Sequence, residues 1–101
     1  MENENFETRI LHTQYEKKDV YGALSMPVYH SVAYEFDTAE AMEEAFCGRT
    51  SDYAYSRITN PTVHHFESRI QSVTGALSVT ALNSGMAAIS SALMAVAYTG
   101  A

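Results

Sequence analysis

Apolar and polar positions along the chain fall into stretches of different rhythm. Residues 1–36 have weak periodicity, broken by Tyr21-Gly22-Ala23 and Met26-Pro27, and only patchy strand character over Val28–Tyr34. They are expected to form an extended arm with little core, whose aromatics (Phe6, Tyr15, Tyr21, Tyr29, Tyr34, Phe36) suit docking on another surface. A helix is predicted over about 38–47, with Asp37 as N-cap, Glu40 at N3 of a capping box, and Glu43 and Glu44 near the N-terminal end. Met42, Ala45 and Phe46 form its i, i+3, i+4 stripe, and Gly48 closes it. Residues 49–59 read as a loop. Asn60-Pro61 then opens a second helix, with Pro at N1, where its missing N–H costs nothing. Val63, Phe66, Ile70 and Val73 share one face of it, and Gly75 is the stop. Ala76–Leu82 is a short apolar run without alternation, expected for a strand covered on both faces. Asn83-Ser84-Gly85 makes a turn, and Met86 to about Tyr98 is a third helix, apolar on nearly every side. Helix, strand, tight turn and helix are half of an α/β unit, whose parallel partner strand is expected after Ala101.

Composition sharpens this picture. The 101 residues carry 6 Lys/Arg against 12 Asp/Glu, a net charge of −6, with 47% hydrophobic and 18% charged residues. That is a folding composition, and a single domain is the expectation at this length. The acidic balance argues against a nucleic-acid partner, which wants clustered Lys/Arg. The single cysteine, Cys47, cannot form an internal disulfide and fits a reducing compartment. The opening Met1-Glu2-Asn3-Glu4-Asn5 lacks the features of a signal peptide, so a cytoplasmic location is expected. No charge follows Arg69, leaving 32 uncharged residues from Ile70 to Ala101. The longest apolar run there, Met86–Tyr98, has 13 residues, short of the ~20 of a membrane helix. We therefore expect this segment to be covered by protein outside the sequence, so that the chain is part of a larger protein or depends on a partner.

Two places can carry chemistry. The first N–H groups of a helix have no intrahelical acceptor and sit at the positive end of its dipole. A small turn such as Asn83-Ser84-Gly85 lets an anion approach those groups, which makes a phosphate cradle. The same residues also make an ordinary strand-to-helix turn with Ser84 as N-cap, and local sequence leaves both open. The motif is neither a Walker loop nor a G-x-G-x-x-G fingerprint, and Leu82 and Met86 stand where a nucleophile elbow wants glycine. In the loop before Asn60, Tyr55 and Arg57 are two apart and point the same way if the backbone is extended. A guanidinium beside a phenol hydroxyl grips phosphate well, but these residues on their own read first as a surface tyrosine with a solvated arginine. His64 and His65 point about 100° apart on a helix, His12 and His30 have no ligand partner at metal spacing, and no metal site is expected. Lys17 and Lys18, between Glu16 and Asp19, read as a solvated charge cluster.

Taken together, Tyr55-Ser56-Arg57-Ile58-Thr59-Asn60-Pro61-Thr62 with Glu67, and Ser84-Gly85-Met86-Ala87-Ala88-Ile89, resemble a known family. Glu7-Thr8, His12, Gly22-Ala23 and Pro27-Val28-Tyr29 precede them in the matching order. The sequence resembles the N-terminal part of the pyridoxal-phosphate (PLP) enzymes of cysteine and methionine metabolism. These include cystathionine γ-synthase and lyases, methionine γ-lyase and O-acetylhomoserine sulfhydrylase. His30-Ser31-Val32-Ala33 departs from the family's usual Gln-Thr-Ser/Thr-like run, so that stretch is not carried over.

The resemblance implies the start of the large α/β domain of fold-type I PLP enzymes. An arm and short helix over 1–59 would dock on a neighbouring subunit, and 60–101 would begin the PLP-binding domain. It implies that Ser84, Gly85 and Met86 hold the cofactor phosphate, and that Tyr55 and Arg57 reach the phosphate of the neighbouring subunit's site. It further implies a homotetramer built from active dimers and an amino-acid substrate such as O-acetylhomoserine. The reaction would be γ-replacement (sulfhydrylase), with γ-elimination by a methionine or cystathionine γ-lyase as the alternative. No catalytic residue falls in this stretch: the Schiff-base lysine, the aspartate on the pyridine nitrogen and the ring-stacking tyrosine are expected beyond Ala101. The 101 residues alone are accordingly expected to be inactive, and a non-catalytic chain that binds other subunits is the reading from a different class.

Overall fold

The computed structural model describes residues 5–13 and 19–100, so the Lys17-Lys18 cluster, Glu16 and Tyr15 lie outside the described residues. Four helices follow in order: α1 (Phe6–His12), α2 (Ala39–Phe46), α3 (Pro61–Thr74) and α4 (Gly85–Val96).

The first helix interrupts the arm that the sequence leaves extended. It is seven residues long with no side-chain cap at Asn5, so nothing local announces it. Glu7 in its first turn and Arg9 and His12 in its last complement the helix dipole. Its position comes from packing: α1 lies against α3, and Arg9 Nη1 donates to the Ser72 carbonyl at 3.3 Å. Beyond it, Asp19 organises the next turn, accepting from the backbone N–H groups of Tyr21 (3.0 Å) and Ala23 (3.2 Å) and from the Tyr29 hydroxyl (3.1 Å). The Ala23 N–H, with those of Tyr21 and Val20 and the phenol, holds the Asp19 carboxyl below its usual range.

The cap of α2 is Thr38, one residue later than the sequence reading. Its hydroxyl accepts from Ala41 N at 3.1 Å, which places Glu40 at N2 and leaves Asp37 outside the helix. Both residues are good caps, and the extended backbone of Thr38 decides between them. The α3 boundaries agree with expectation. Asn60 caps it, Pro61 stands in the first turn, and Gly75 ends it at φ 71°, a left-handed conformation that glycine adopts freely.

Residues 76–82 do not form the expected strand, and the described residues contain only one isolated antiparallel bridge, Ala33–Tyr55. A strand is completed by its neighbours' backbone groups, and these residues find none here. Two α3 side chains serve instead: Gln71 Nε2 donates to the Leu77 carbonyl at 2.8 Å, and Glu67 Oε1 accepts from Ala81 N at 2.7 Å. The last helix starts at Gly85 and ends at Val96, two residues short of the predicted end.

Little of the chain is buried. Ala54, Asn60 and Pro61 are the buried residues among those described. The radius of gyration is 16.5 Å, where a compact chain of this length has about 13 Å. The α3 stripe of Val63, Phe66 and Ile70 is partly open, and on α4 Ile89 and Leu93 are 57% and 61% exposed. Apolar side chains after Arg69, among them Ile70, Ile89 and Leu93, are thus open in this structure. No helix among the described residues is long and apolar enough to cross a membrane.

Candidate functional site

The loop before α3 turns back on itself. Ser56 N donates to the Val32 carbonyl at 2.8 Å beside the Ala33–Tyr55 bridge, and Ile58 N and Thr59 N both donate to the Tyr55 carbonyl at 2.9 and 3.0 Å. This turn brings the Arg57 guanidinium carbon to 5.3 Å from the Tyr55 ring centroid, a cation–π distance. The two side chains do lie together, as expected, but a turn places them there and not the alternation of an extended strand. Arg57 is exposed and makes no ion pair among the described residues, so its fork of donors is open to an anion.

Behind the turn stands Asn60, 9% exposed. Its Oδ1 accepts from Thr62 N at 2.8 Å and Val63 N at 3.4 Å, which caps α3. Those partners are donors only, so the orientation of the amide is fixed and Nδ2 faces the other way. Nδ2 lies 3.0 Å from the Tyr29 carbonyl, 3.0 Å from Ser56 Oγ and 3.4 Å from the Tyr34 hydroxyl. Tyr29 N closes the arrangement by donating to Thr62 Oγ1 at 2.8 Å. The sequence shows Asn60 as a cap. Its Nδ2 contacts reach 26 and 31 residues back in the chain, and no local pattern signals them.

The second part of the site is the start of α4. Ser84 Oγ accepts from Ala87 N at 3.0 Å, and the Ser84 carbonyl accepts from Ala88 N at 3.1 Å. The N–H groups of Gly85 and Met86 therefore have no acceptor among the described residues. A Cβ built on Gly85 meets nothing within 4 Å, so the approach to those donors is clear. Ser84 is thus an N-cap and borders an open pair of N–H groups; the two readings left by the sequence are compatible. This donor set suits a phosphate: two backbone N–H groups at a positive helix end, a hydroxyl alongside and no competing carboxylate in the motif.

The histidines engage separate neighbours. His64 Nδ1 is 3.0 Å from the Tyr53 hydroxyl, and Tyr53 also lies against Tyr34, with ring centroids 6.0 Å apart. His65 Nε2 accepts from Arg69 Nε at 3.1 Å. Burial, followed by the charges of Arg69 and His64, lowers the His65 pKa from its usual value, which keeps the ring neutral and able to accept. Between the end of α2 and the loop lies a hollow of about 280 Å³, with Phe46, Tyr53 and Ile58 among its walls. Among the described residues no cluster of three His, Cys, Asp or Glu could hold a metal ion.

Comparison with known proteins agrees with the motif-level resemblance. The sequence model of the Cys/Met metabolism PLP-dependent enzymes matches residues 7–101. The chain is 42% identical over 88 residues to L-methionine gamma-lyase of Pseudomonas putida, covering 87% of this chain and 22% of that protein. It is 38% identical over 95 residues to O-acetyl-L-homoserine sulfhydrylase of Corynebacterium glutamicum, covering 94% of this chain and 22% of the relative. Among solved structures, one described as an O-acetylhomoserine (thiol)-lyase of Campylobacter jejuni superposes with a TM-score of 0.86 at 34% identity. That match covers 97% of this chain and 24% of the other, which carries a pyridoxyl-lysine phosphate. The chain therefore spans about a fifth to a quarter of the length of these proteins.

Proposed function

Because the chain belongs to the Cys/Met metabolism PLP-dependent enzyme family, we propose that it supplies phosphate-binding parts of a PLP site in an enzyme of sulfur amino-acid metabolism. The observation that carries this reading is the start of α4, where Gly85 and Met86 present unengaged N–H groups beside a glycine that leaves the approach open.

In this reading the Gly85 and Met86 N–H groups and the Ser84 hydroxyl hold the cofactor phosphate, and the helix dipole favours its charge. Tyr55 and Arg57 add a hydroxyl and a guanidinium to the phosphate of a neighbouring subunit's site, and the arm over 1–59 docks on that neighbour. The assembly is a dimer of dimers in the cytoplasm. When bound, the cofactor supplies an electron sink for carbanions formed on the amino-acid substrate. The part of this chain is to bind and orient; the Schiff-base lysine, the aspartate and the stacking tyrosine belong to residues beyond Ala101.

The reaction we propose is γ-replacement on O-acetylhomoserine, in which a sulfur nucleophile displaces acetate. Similarity to the Corynebacterium sulfhydrylase over 94% of the chain supports it. The second reading is γ-elimination from methionine, supported by the similarity to the Pseudomonas lyase. The full-length protein, loaded with PLP, is to be given O-acetylhomoserine with sulfide and, separately, methionine. Homocysteine formation from the first supports replacement. Methanethiol and 2-oxobutanoate from the second, without turnover of the first, would reverse the order. Arg57→Ala tests the site itself and is expected to weaken PLP binding by about 1.5–3 kcal/mol, the scale of a lost charged hydrogen bond.

A further inference from the structure

A helix cap needs only one acceptor, and Asp, Ser or Thr would serve α3 about as well as Asn60. What asparagine adds is a two-hydrogen donor on the same side chain. Here both hydrogens are used at 3.0 Å, on the Tyr29 carbonyl and on Ser56 Oγ.

The valence of Ser56 then follows. Its single hydroxyl hydrogen goes to the Ser31 carbonyl. Its oxygen must accept from its other neighbours, which are Asn60 Nδ2 and, at 3.1 Å, the Tyr34 hydroxyl. One donor and two acceptor positions are all filled, and the Ser56 N–H is held by Val32. Ser56 is the residue between Tyr55 and Arg57. With its backbone and side chain both held, the backbone from which the two neighbouring side chains leave is held as well.

We propose that Asn60, acting through Ser56, is the positioning residue that aims the Tyr55–Arg57 pair at the cofactor phosphate. The inference rests on the phosphate reading of Tyr55 and Arg57 above. It assigns Asn60 a role beyond capping and gives Ser56 and Tyr34 a place in the site. It also ties the arm to the grip, because Tyr29 bonds to both Asn60 and Thr62.

The test uses the full-length apo-protein, titrated with PLP and with pyridoxal, which lacks the phosphate. Ser56→Ala removes the link and leaves the cap; Asn60→Asp keeps the cap acceptor and loses the donor. Each is expected to weaken PLP binding roughly tenfold, the scale of one misplaced charged hydrogen bond, with pyridoxal binding unchanged. In an Arg57→Ala background each should add less than it costs alone, because only the Tyr55 contact is left to misplace. Equal losses for PLP and pyridoxal, or losses that add fully to that of Arg57→Ala, would show a merely structural role and overturn the proposal. Arg57→Ala weakening PLP while Ser56→Ala leaves it unchanged would also overturn it, with the phosphate reading intact. PLP binding unchanged in Arg57→Ala would remove the phosphate reading and this inference together. Should Asn60→Asp fail to fold, Ser56→Ala decides alone.

Discussion

Glu67 on α3 accepts the backbone N–H of Ala81 at 2.7 Å, fourteen residues further along the chain. One helical turn on, Gln71 holds the Leu77 carbonyl at 2.8 Å. The two side chains thus fasten both ends of the segment that leads to the α4 turn. They do so in place of a strand ladder, which needs backbone partners that these residues lack. Because a carboxylate acceptor is stronger than a neutral one, the Glu67 bond should dominate. Glu67→Ala is expected to cost about 1.5–3 kcal/mol of local stability, and Glu67→Gln about 1 kcal/mol or less. Hydrogen exchange at Ala81 reads this directly: its amide should exchange at least tenfold faster in the alanine variant. An unchanged rate in the full-length protein would mean that neighbouring strands hold Ala81 and Glu67 is dispensable.

Gly85 separates a conformational need from a ligand need. A Cβ there meets nothing within 4 Å, and a glycine in a helix costs about 0.5–1 kcal/mol relative to alanine. Gly85→Ala should therefore leave the apo-protein as stable as before or slightly more so. If phosphate comes close to the Gly85 and Met86 N–H groups, the same methyl stands in its way, and PLP affinity should fall about tenfold or more. Thermal melting of the apo-protein and PLP titration give the two numbers. Unchanged PLP affinity would remove the α4 start from the phosphate site.

Ser84 allows the complementary separation. Its hydroxyl caps α4 through Ala87 N, so Ser84→Ala should cost about 1 kcal/mol of stability. Ser84→Asp keeps an excellent cap but sets a negative charge beside the proposed phosphate. It should melt close to wild type as the apo-protein and bind PLP more weakly than Ser84→Ala does. PLP affinity that followed stability alone across the two variants would leave Ser84 as a cap and nothing more.

These sites differ in how far the sequence discloses them. The capping of α3 by Asn60, the stop at Gly75 and the Ser84 turn are local events, encoded in three or four consecutive residues, and they stand where the sequence puts them. The pairing of Tyr55 with Arg57 was also legible, although a turn achieves it and not extended backbone. Residues 76–82 were legible only as strand-like in composition, because a strand is a property of pairs and its expected partner is not among these residues. The first helix was missed for the opposite reason. It is short and uncapped, and its contact with Ser72 lies 63 residues away. The donor side of Asn60 was equally hidden, since Tyr29 and Tyr34 come from the arm, whose sequence gave no register against the loop.

His65 gives the chain a pH dependence whose sign is fixed by its surroundings. Burial first, then the charges of Arg69 and His64, lower its pKa in the folded state below the ordinary histidine value of 6.5. Arg69 Nε reinforces this by donating to His65 Nε2, a bond that the protonated ring cannot accept. Between the lowered folded value and 6.5 the unfolded chain binds more protons at this position than the folded chain, so stability rises with pH there. The contribution is fully present above pH 6.5 and is lost as pH falls toward the folded-state value. His65→Gln retains an acceptor for Arg69 and does not titrate, so it should remove this part of the dependence. Urea midpoints measured at pH 7.5 and pH 5.5 provide the check. Wild type should lose more stability than His65→Gln over that interval, while equal losses would show that His65 titrates alike in both states and assign the acid sensitivity to other groups.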